Sequence, residues 1–197
     1  MEYDIPTWDE MDGYTHELAQ KILKAKRNFD AIISVERGGA CPSRLLSDFL
    51  KIPTIYHINV TYYEGINEKK EKPLITQTLP CNVAKQDILV CDDVSDSGNS
   101  LLIVKDYLKE QQCASITTAT LYIKPWTAFI PDYYVKQTEA WIVFPWERLE
   151  ILDTLIEKYY NSDKLEDVKN KLRSAGFPSD LVEFCYSIRA LLRESQE

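Results

Sequence analysis

Glycine is scarce in this chain, with six residues in 197. Neither GxxxxGK[ST] nor GxGxxG occurs, which disfavours the loops that cradle nucleoside triphosphates and dinucleotides. Histidine is scarcer still, with only His16 and His57, and the five cysteines form no CxxC pair. No structural zinc site can be assembled at recognised spacing, and an odd set of thiols, several of them in apolar runs, reads as a reduced cytoplasmic protein. No apolar stretch approaches the roughly 18–20 residues that span a bilayer. The opening MEYDIPTWDEMDG is acidic and polar, whereas a signal peptide starts basic and turns apolar, so secretion is not expected. Basic residues are the minority, 23 against 31 acidic, for a net charge of -8. That excludes the broad basic field of a general nucleic-acid or membrane-surface binder.

What is present is globular. A hydrophobic share of 45% in 197 residues supports one domain of ordinary size with a small appendage and excludes disorder. Tyr14, Leu18, Ile22 and Ala25 share one face of a helix expected over residues 14–28. The run AIISV, residues 31–35, reads as a buried strand ending in the turn Arg37-Gly38-Gly39. Pro42 suits the first turn of a following helix to about Leu50, and residues 54–60 form a second strand rich in β-branched and aromatic side chains. A third strand is expected from Asp87 to the pair Asp92-Asp93, a helix over 99–112, and strands over 115–122 and 141–144. The order β-α-β, loop, β-α-β predicts an α/β fold with a mainly parallel sheet flanked by helices.

Residues 61–82 interrupt this rhythm with Gly65, a charged cluster at 68–72, Pro73 and Pro80. A loop of about 20 residues is uncommon in a compact domain unless it is functional, as a lid is, and the alternative is a surface hairpin. From Glu147 onward the pattern is helical only. Leu149, Leu152, Leu155 and Ile156 share a face, Asp163 and Glu166 could cap a short helix, and GFP at 176–178 separates a last apolar-periodic helix over 181–192. The expected division is a core domain at 1–150, with its lid at about 61–82, and a helical appendage at 151–197.

The most informative segment is ILVCDDVSDSGNS, residues 88–100. Four apolar residues deliver a buried strand whose carboxyl end carries Asp92 and Asp93, and ligands of open α/β sheets bind at that end. Residues 96–100 then turn into a helix. Backbone N–H groups point outward there, Gly98 permits close approach, and the Ser97 and Ser100 hydroxyls can donate, which suits a phosphate monoester. A plain Ser/Asp helix cap would use the same residue types, but it leaves the adjacent carboxylates unexplained, since two like charges are costly without a cation or sugar hydroxyls between them.

The whole segment resembles the signature of the type I phosphoribosyltransferases, which use 5-phosphoribosyl-1-pyrophosphate (PRPP). VERGG at 35–39 resembles the family's pyrophosphate loop, where Arg37 would fork onto phosphate oxygens, Gly38 and Gly39 would offer backbone N–H groups, and Glu36–Arg37 would be the family's cis peptide. LYIKP at 121–125 and AWIVFPWE at 140–147 look like the 6-oxopurine branch, of the xanthine–guanine and archaeal hypoxanthine–guanine types. By that resemblance Lys124 reads the purine O6, Trp141 stacks on the base, and the Ile142 backbone faces the 2-position. Glu147 stands where the family more often has Asp, near metal and pyrophosphate. Taken singly, Trp141 and Trp146 also read as ordinary core aromatics. Thr61-Tyr62 stands where the family usually opens its lid with Ser-Tyr. The resemblance covers residues 10–150 and leaves the last 47 or so unexplained.

The resemblance implies a purine-salvage transferase that makes a nucleoside 5′-monophosphate and pyrophosphate from PRPP and hypoxanthine, guanine or xanthine. Catalysis would rest on Asp96 at the purine N7, Lys124 and Arg37. Asp92, Asp93, Asp96, Ser97, Gly98, Asn99 and Ser100 would hold the ribose 5-phosphate. Mg²⁺ would be the cofactor, with Asp92, Asp93 and Glu147 as its ligands, partly through water. A homodimer or homotetramer is implied, with no nucleic-acid or membrane partner. The alternatives are a non-catalytic regulator that senses PRPP or a nucleotide on the same fold, and a transferase for another base.

Overall fold

The computed structural model describes residues 2–63, 72–159 and 165–194. Among them the chain forms eight strands and six helices. In chain order these are β1 (Tyr3–Asp4), α1 (Trp8–Lys24), β2 (Ala31–Glu36), α2 (Ala40–Phe49), β3 (Ile55–Tyr63), β4 (Lys72–Gln77) and β5 (Asp87–Ser95). They are followed by α3 (Asn99–Glu110), β6 (Ser115–Ile123), β7 (Tyr133–Gln137), β8 (Trp141–Ile142), α4 (Arg148–Tyr159), α5 (Leu165–Ser174) and α6 (Ser179–Glu194).

Two compact units result, residues 11–139 in one and residues 1–10 with 140–197 in the other. The division expected from sequence, at about residue 150, falls inside the second of these. The larger unit holds a six-stranded sheet of order β4-β3-β2-β5-β6-β7. Every pairing is parallel except β3 with β4. The chain winds outward from β2 to β3 and β4, then returns to the centre and winds the other way through β5, β6 and β7. Connection order therefore reverses between β2 and β5, and a crevice opens outside the carboxyl ends of strands at such a point.

The central strands are apolar runs because both faces of the sheet are covered. Ile33, Val35, Ile88 and Val90 join Leu101, Val104 and Leu108 of α3 in one core cluster. Ile32 and Leu89, on the opposite face by strand alternation, are equally buried. Over β6, the Tyr14 ring of α1 meets Tyr122 edge-on at 5.8 Å.

Three strands lie outside the sequence expectation. β4 carries Pro73 and sits at the sheet edge, the one place where a residue without an N–H is tolerated. β7 is an edge strand of mixed polarity, anchored at its start by Asp132, whose carboxylate accepts from the Thr118 N–H (2.7 Å) and hydroxyl (2.8 Å). β1 has only two residues. Within the stretch expected as a long loop, Thr61, Tyr62 and Tyr63 pair antiparallel with Leu74, Pro73 and Lys72, while residues 64–71, the centre of the expected lid, lie outside the described residues. Helix α1 starts at Trp8 rather than Tyr14. Thr7 and Glu10 form a capping box there, with the Glu10 N–H donating to the Thr7 hydroxyl (3.2 Å) and the Thr7 N–H to the Glu10 carboxylate (2.8 Å).

In the smaller unit β1 and β8 pair in parallel, Tyr3 opposite Trp141 and Asp4 opposite Ile142. Helices α4, α5 and α6 close on them around Val143, Leu152, Leu155, Leu172, Phe177 and Val182. Tyr3 meets Phe177 edge-on at 5.2 Å. The C-terminal helices therefore share a core with the chain's first residues. Among the described residues no helix is long and apolar enough to cross a membrane.

The capping box sets the first stability prediction. Thr7→Ala removes two side-chain hydrogen bonds at the start of α1 and is expected to cost about 1 kcal/mol, read as a lower denaturant midpoint. An unchanged midpoint would show that the box contributes nothing measurable.

Candidate active site

The larger unit gathers most of the sequence-selected residues because β2, β5 and β6 are neighbours whose carboxyl ends point the same way. Ser34 lies opposite Cys91, so the turn after β2 and the acidic end of β5 lie side by side. The Glu36–Arg37 peptide is cis, as the resemblance implies. Arg37 is exposed, while Gly39 is buried, with its N–H donating to the Val35 carbonyl at 2.8 Å. Both glycines are required by close approach. A Cβ on Gly38 would overlap the Asp93 carboxylate, and one on Gly39 would overlap the backbone of Cys91 and Val35. The Arg37 loop thus rests directly on the end of β5.

Asp92 and Asp93 are both buried, at 8% and 6% exposure. Burial, and then the charge of Asp93, push the Asp92 carboxyl well above its ordinary value. The Asp93 N–H donates to Asp92 Oδ1 at 2.9 Å and partly offsets this. Two crowded carboxyls of this kind have the chemistry of a divalent-cation site. Among the described residues, however, no three His, Cys, Asp or Glu side chains cluster as a ligand cage. The residues present within this unit thus offer a carboxylate pair, and a cation held there would need further ligands from outside the pair.

After Ser95 the chain turns through Asp96, Ser97 and Gly98 into α3. Gly98 adopts φ 82° and is the cap residue, with no side-chain cap on the helix. A Cβ there would collide with Phe129 as well as straining the backbone. The first turn of α3 therefore presents its N–H groups to an anion. Ser97 Oγ accepts from the Asn99 N–H at 3.3 Å. Ser100 Oγ meets the Tyr62 hydroxyl at 2.9 Å, which joins the end of β3 to the first turn of α3.

Lys124 follows β6 immediately. Its N–H donates to the Ser95 carbonyl at 3.0 Å, tying it to the same loop, and its side chain is only 5% exposed. Residues 124–129 fold back over the turn. The Ala128 N–H donates to the Ser97 carbonyl (3.1 Å), and Ser95 Oγ donates to the Phe129 carbonyl (2.8 Å). Trp126, which the sequence reading passes over, donates its indole N–H to Asp96 Oδ1 at 2.8 Å. Its only sequence signal is an aromatic two positions after the selected lysine.

Trp141, Ile142 and Glu147 belong to the smaller unit. Trp141 is 41% exposed at the end of β8, so it is not a core aromatic. Trp146 is a packing residue, stacked on Phe144 at 4.9 Å. Ile142 is buried. Glu147 lines a cavity of about 720 Å³ within this unit, with Trp8, Trp146 and Phe184 among the walls.

The electrostatics of β5 carry a stability prediction. A carboxyl whose native pKa lies above its unfolded value costs the fold stability as pH rises past the unfolded value. Asp92→Asn keeps an acceptor for the Asp93 N–H and removes that cost. At pH 7 in excess chelator the variant is expected to melt about 2–4 °C higher than the parent. A lower melting temperature would mean that the Asp92 charge is compensated within the protein.

Comparison with known proteins agrees with this geometry. The phosphoribosyl transferase domain family matches residues 9–148. The xanthine-guanine phosphoribosyltransferase of Gluconobacter oxydans is 26% identical over 147 residues, covering 74% of this chain and 84% of that protein. A purine phosphoribosyltransferase from Pyrococcus horikoshii is 38% identical, with a TM-score of 0.67 over 74% of this chain and 94% of the other. The xanthine-guanine-hypoxanthine phosphoribosyltransferase of Helicobacter pylori is 25% identical, with a TM-score of 0.65 over 78% of this chain and 99% of the other. With a mainly parallel sheet reversing between β2 and β5, a β5–turn–α3 loop at that reversal and a family match over residues 9–148, this chain belongs to the type I phosphoribosyltransferase family.

Proposed function

We propose that this phosphoribosyltransferase acts on a 6-oxopurine. In this reading hypoxanthine, guanine or xanthine displaces pyrophosphate from C1′ of PRPP, and the product is a nucleoside 5′-monophosphate for purine salvage. The observation that carries the choice of base is Lys124, a cation held almost fully buried at the carboxyl end of β6 and tied through its backbone to the phosphate loop. An ammonium at this position can donate to a strongly dipolar acceptor, and the purine O6 is such a group. The Gluconobacter and Helicobacter proteins, named for xanthine and guanine transfer, support the same choice.

The transition state of this substitution resembles a ribosyl cation, so catalysis is positioning and charge stabilisation. The first turn of α3, with Ser97, Gly98, Asn99 and Ser100, anchors the 5′-phosphate. Arg37 and the amides of Gly38 and Gly39 neutralise the departing pyrophosphate. Asp92 and Asp93 would hold Mg²⁺, which would supply charge neutralisation for the pyrophosphate. Asp96 faces N7 and accepts its proton, while Lys124 donates to O6. The assignments of Trp141 to stacking, Ile142 to the 2-position and Glu147 to the metal's outer ligands rest on the resemblance. The exposed indole of Trp141 supports the first of these.

The direct test is pyrophosphate release from PRPP and Mg²⁺ with hypoxanthine, guanine, xanthine, adenine, uracil or orotate. Release is expected with 6-oxopurines alone and is expected to vanish in excess chelator. Release with adenine, uracil or orotate instead would reassign the base. PRPP binding without release by any base would make the protein a sensor.

Two variants separate the roles. Asp96→Asn is expected to lower kcat by about 100-fold or more with PRPP affinity retained. Arg37→Ala is expected to weaken PRPP and pyrophosphate binding about tenfold or more while affecting the nucleoside monophosphate less. Equal losses for all three ligands would remove Arg37 from the pyrophosphate site.

A further inference from the structure

Trp126 is 57% exposed, yet it is not a loosely placed surface aromatic. Its indole N–H donates to Asp96 Oδ1 at 2.8 Å, and its ring centre lies 5.5 Å from the Lys124 ammonium. It therefore touches both side chains assigned above to the purine ring. The backbone that carries it is fixed against the phosphate loop. The Thr127 N–H donates to the Lys124 carbonyl (3.1 Å) and the Ala128 N–H to the Ser97 carbonyl (3.1 Å). Thr127 Oγ1 and Ser95 Oγ are 2.9 Å apart, and the Lys105 ammonium sits 5.2 Å from the Phe129 ring centre.

Asp96 is in the opposite situation. It is an exposed residue in a turn, where a carboxylate on a single methylene is free to rotate unless something holds it. A hydrogen bond to an ionised acceptor is among the stronger polar contacts, and indole is a donor only, with one fixed N–H direction.

We propose that Trp126 is a positioning residue for the reaction. Its N–H occupies Asp96 Oδ1 and fixes the carboxylate so that Oδ2 is presented to the purine N7, and its ring face holds the neighbouring Lys124 ammonium in register for O6. The inference rests on the 6-oxopurine reading of the site and adds to it a residue that touches neither phosphate nor metal.

Trp126→Phe is the informative variant, because phenylalanine keeps a ring for Lys124 and removes only the N–H. Its kcat for base transfer is expected to fall about tenfold, with KM for PRPP within about twofold of the parent. In an Asp96→Asn background the same substitution is expected to change kcat by less than about twofold, because its effect passes through Asp96. Parental kcat in Trp126→Phe, or an equal fold-loss with and without Asp96, would overturn the proposal.

A second readout needs no variant at Trp126. One of the four indole N–H proton resonances is expected to shift on Asp96→Asn, and no shift in any of them would also overturn it. The two readings fail in different ways. A parent protein that releases no pyrophosphate with any base sinks the functional reading and this inference with it. An active parent with an equally active Trp126→Phe sinks this inference alone.

Discussion

Strands β2 and β5 pair in parallel from Ala31–Ile88 to Ser34–Cys91, and the rest of the site hangs on that pairing. It is the place where the winding of the sheet reverses, so the loops that follow β2 and β5 flank one crevice at the carboxyl ends. The loops touch because Gly38 and Gly39 have no side chains. A methyl group on either would meet the Asp93 carboxylate or the Cys91 carbonyl. The separation of the Arg37 loop from the acidic pair is thus set by close packing at Gly38 and Gly39.

A crevice built this way concentrates charge that the fold does not want. Asp92 is buried next to Asp93, and its carboxyl is pushed up by burial and by its neighbour. Lys124, equally buried, terminates the adjacent strand β6. Burying charged groups of this kind costs stability that a fold retains only for function. This also resolves the apparent conflict between a chain of net charge -8 and a polyanionic substrate. What matters is the local field, and here Arg37, the first turn of α3 and a divalent cation would supply it.

The segment after β6 completes the arrangement. Residues 124–129 lie back along the phosphate turn through four backbone or hydroxyl contacts. Gly98, at φ 82°, takes a conformation and an approach to Phe129 that no other residue could share. The turn after β5 and the segment after β6 are therefore held together as one piece, and under the proposed function that piece would carry both the phosphate and the base contacts.

Much of this was legible in the amino-acid sequence by itself. Strands β2, β5 and β6 were readable because strands buried on both faces must be continuous apolar runs, and Asp92, Asp93 and residues 96–100 were readable because they follow such a run directly. The elements that escaped are those whose identity comes from a neighbour. β4 tolerates Pro73 only because it is an edge, β7 is held by Asp132 against Thr118, and β1 exists only because β8 lies beside it. The start of α1 was legible in principle, since Thr7 and Glu10 have the spacing of a capping box. Tertiary structure alone decided that residues 1–10 share a unit with 140–197, that Trp141 is exposed while Trp146 is packed, and that Trp126 reaches Asp96 across thirty positions of chain. Local sequence specifies what a segment can become, because propensity and periodicity act over a few residues. Contacts between distant segments depend on how the whole sheet is wound, and no short stretch of sequence contains that information.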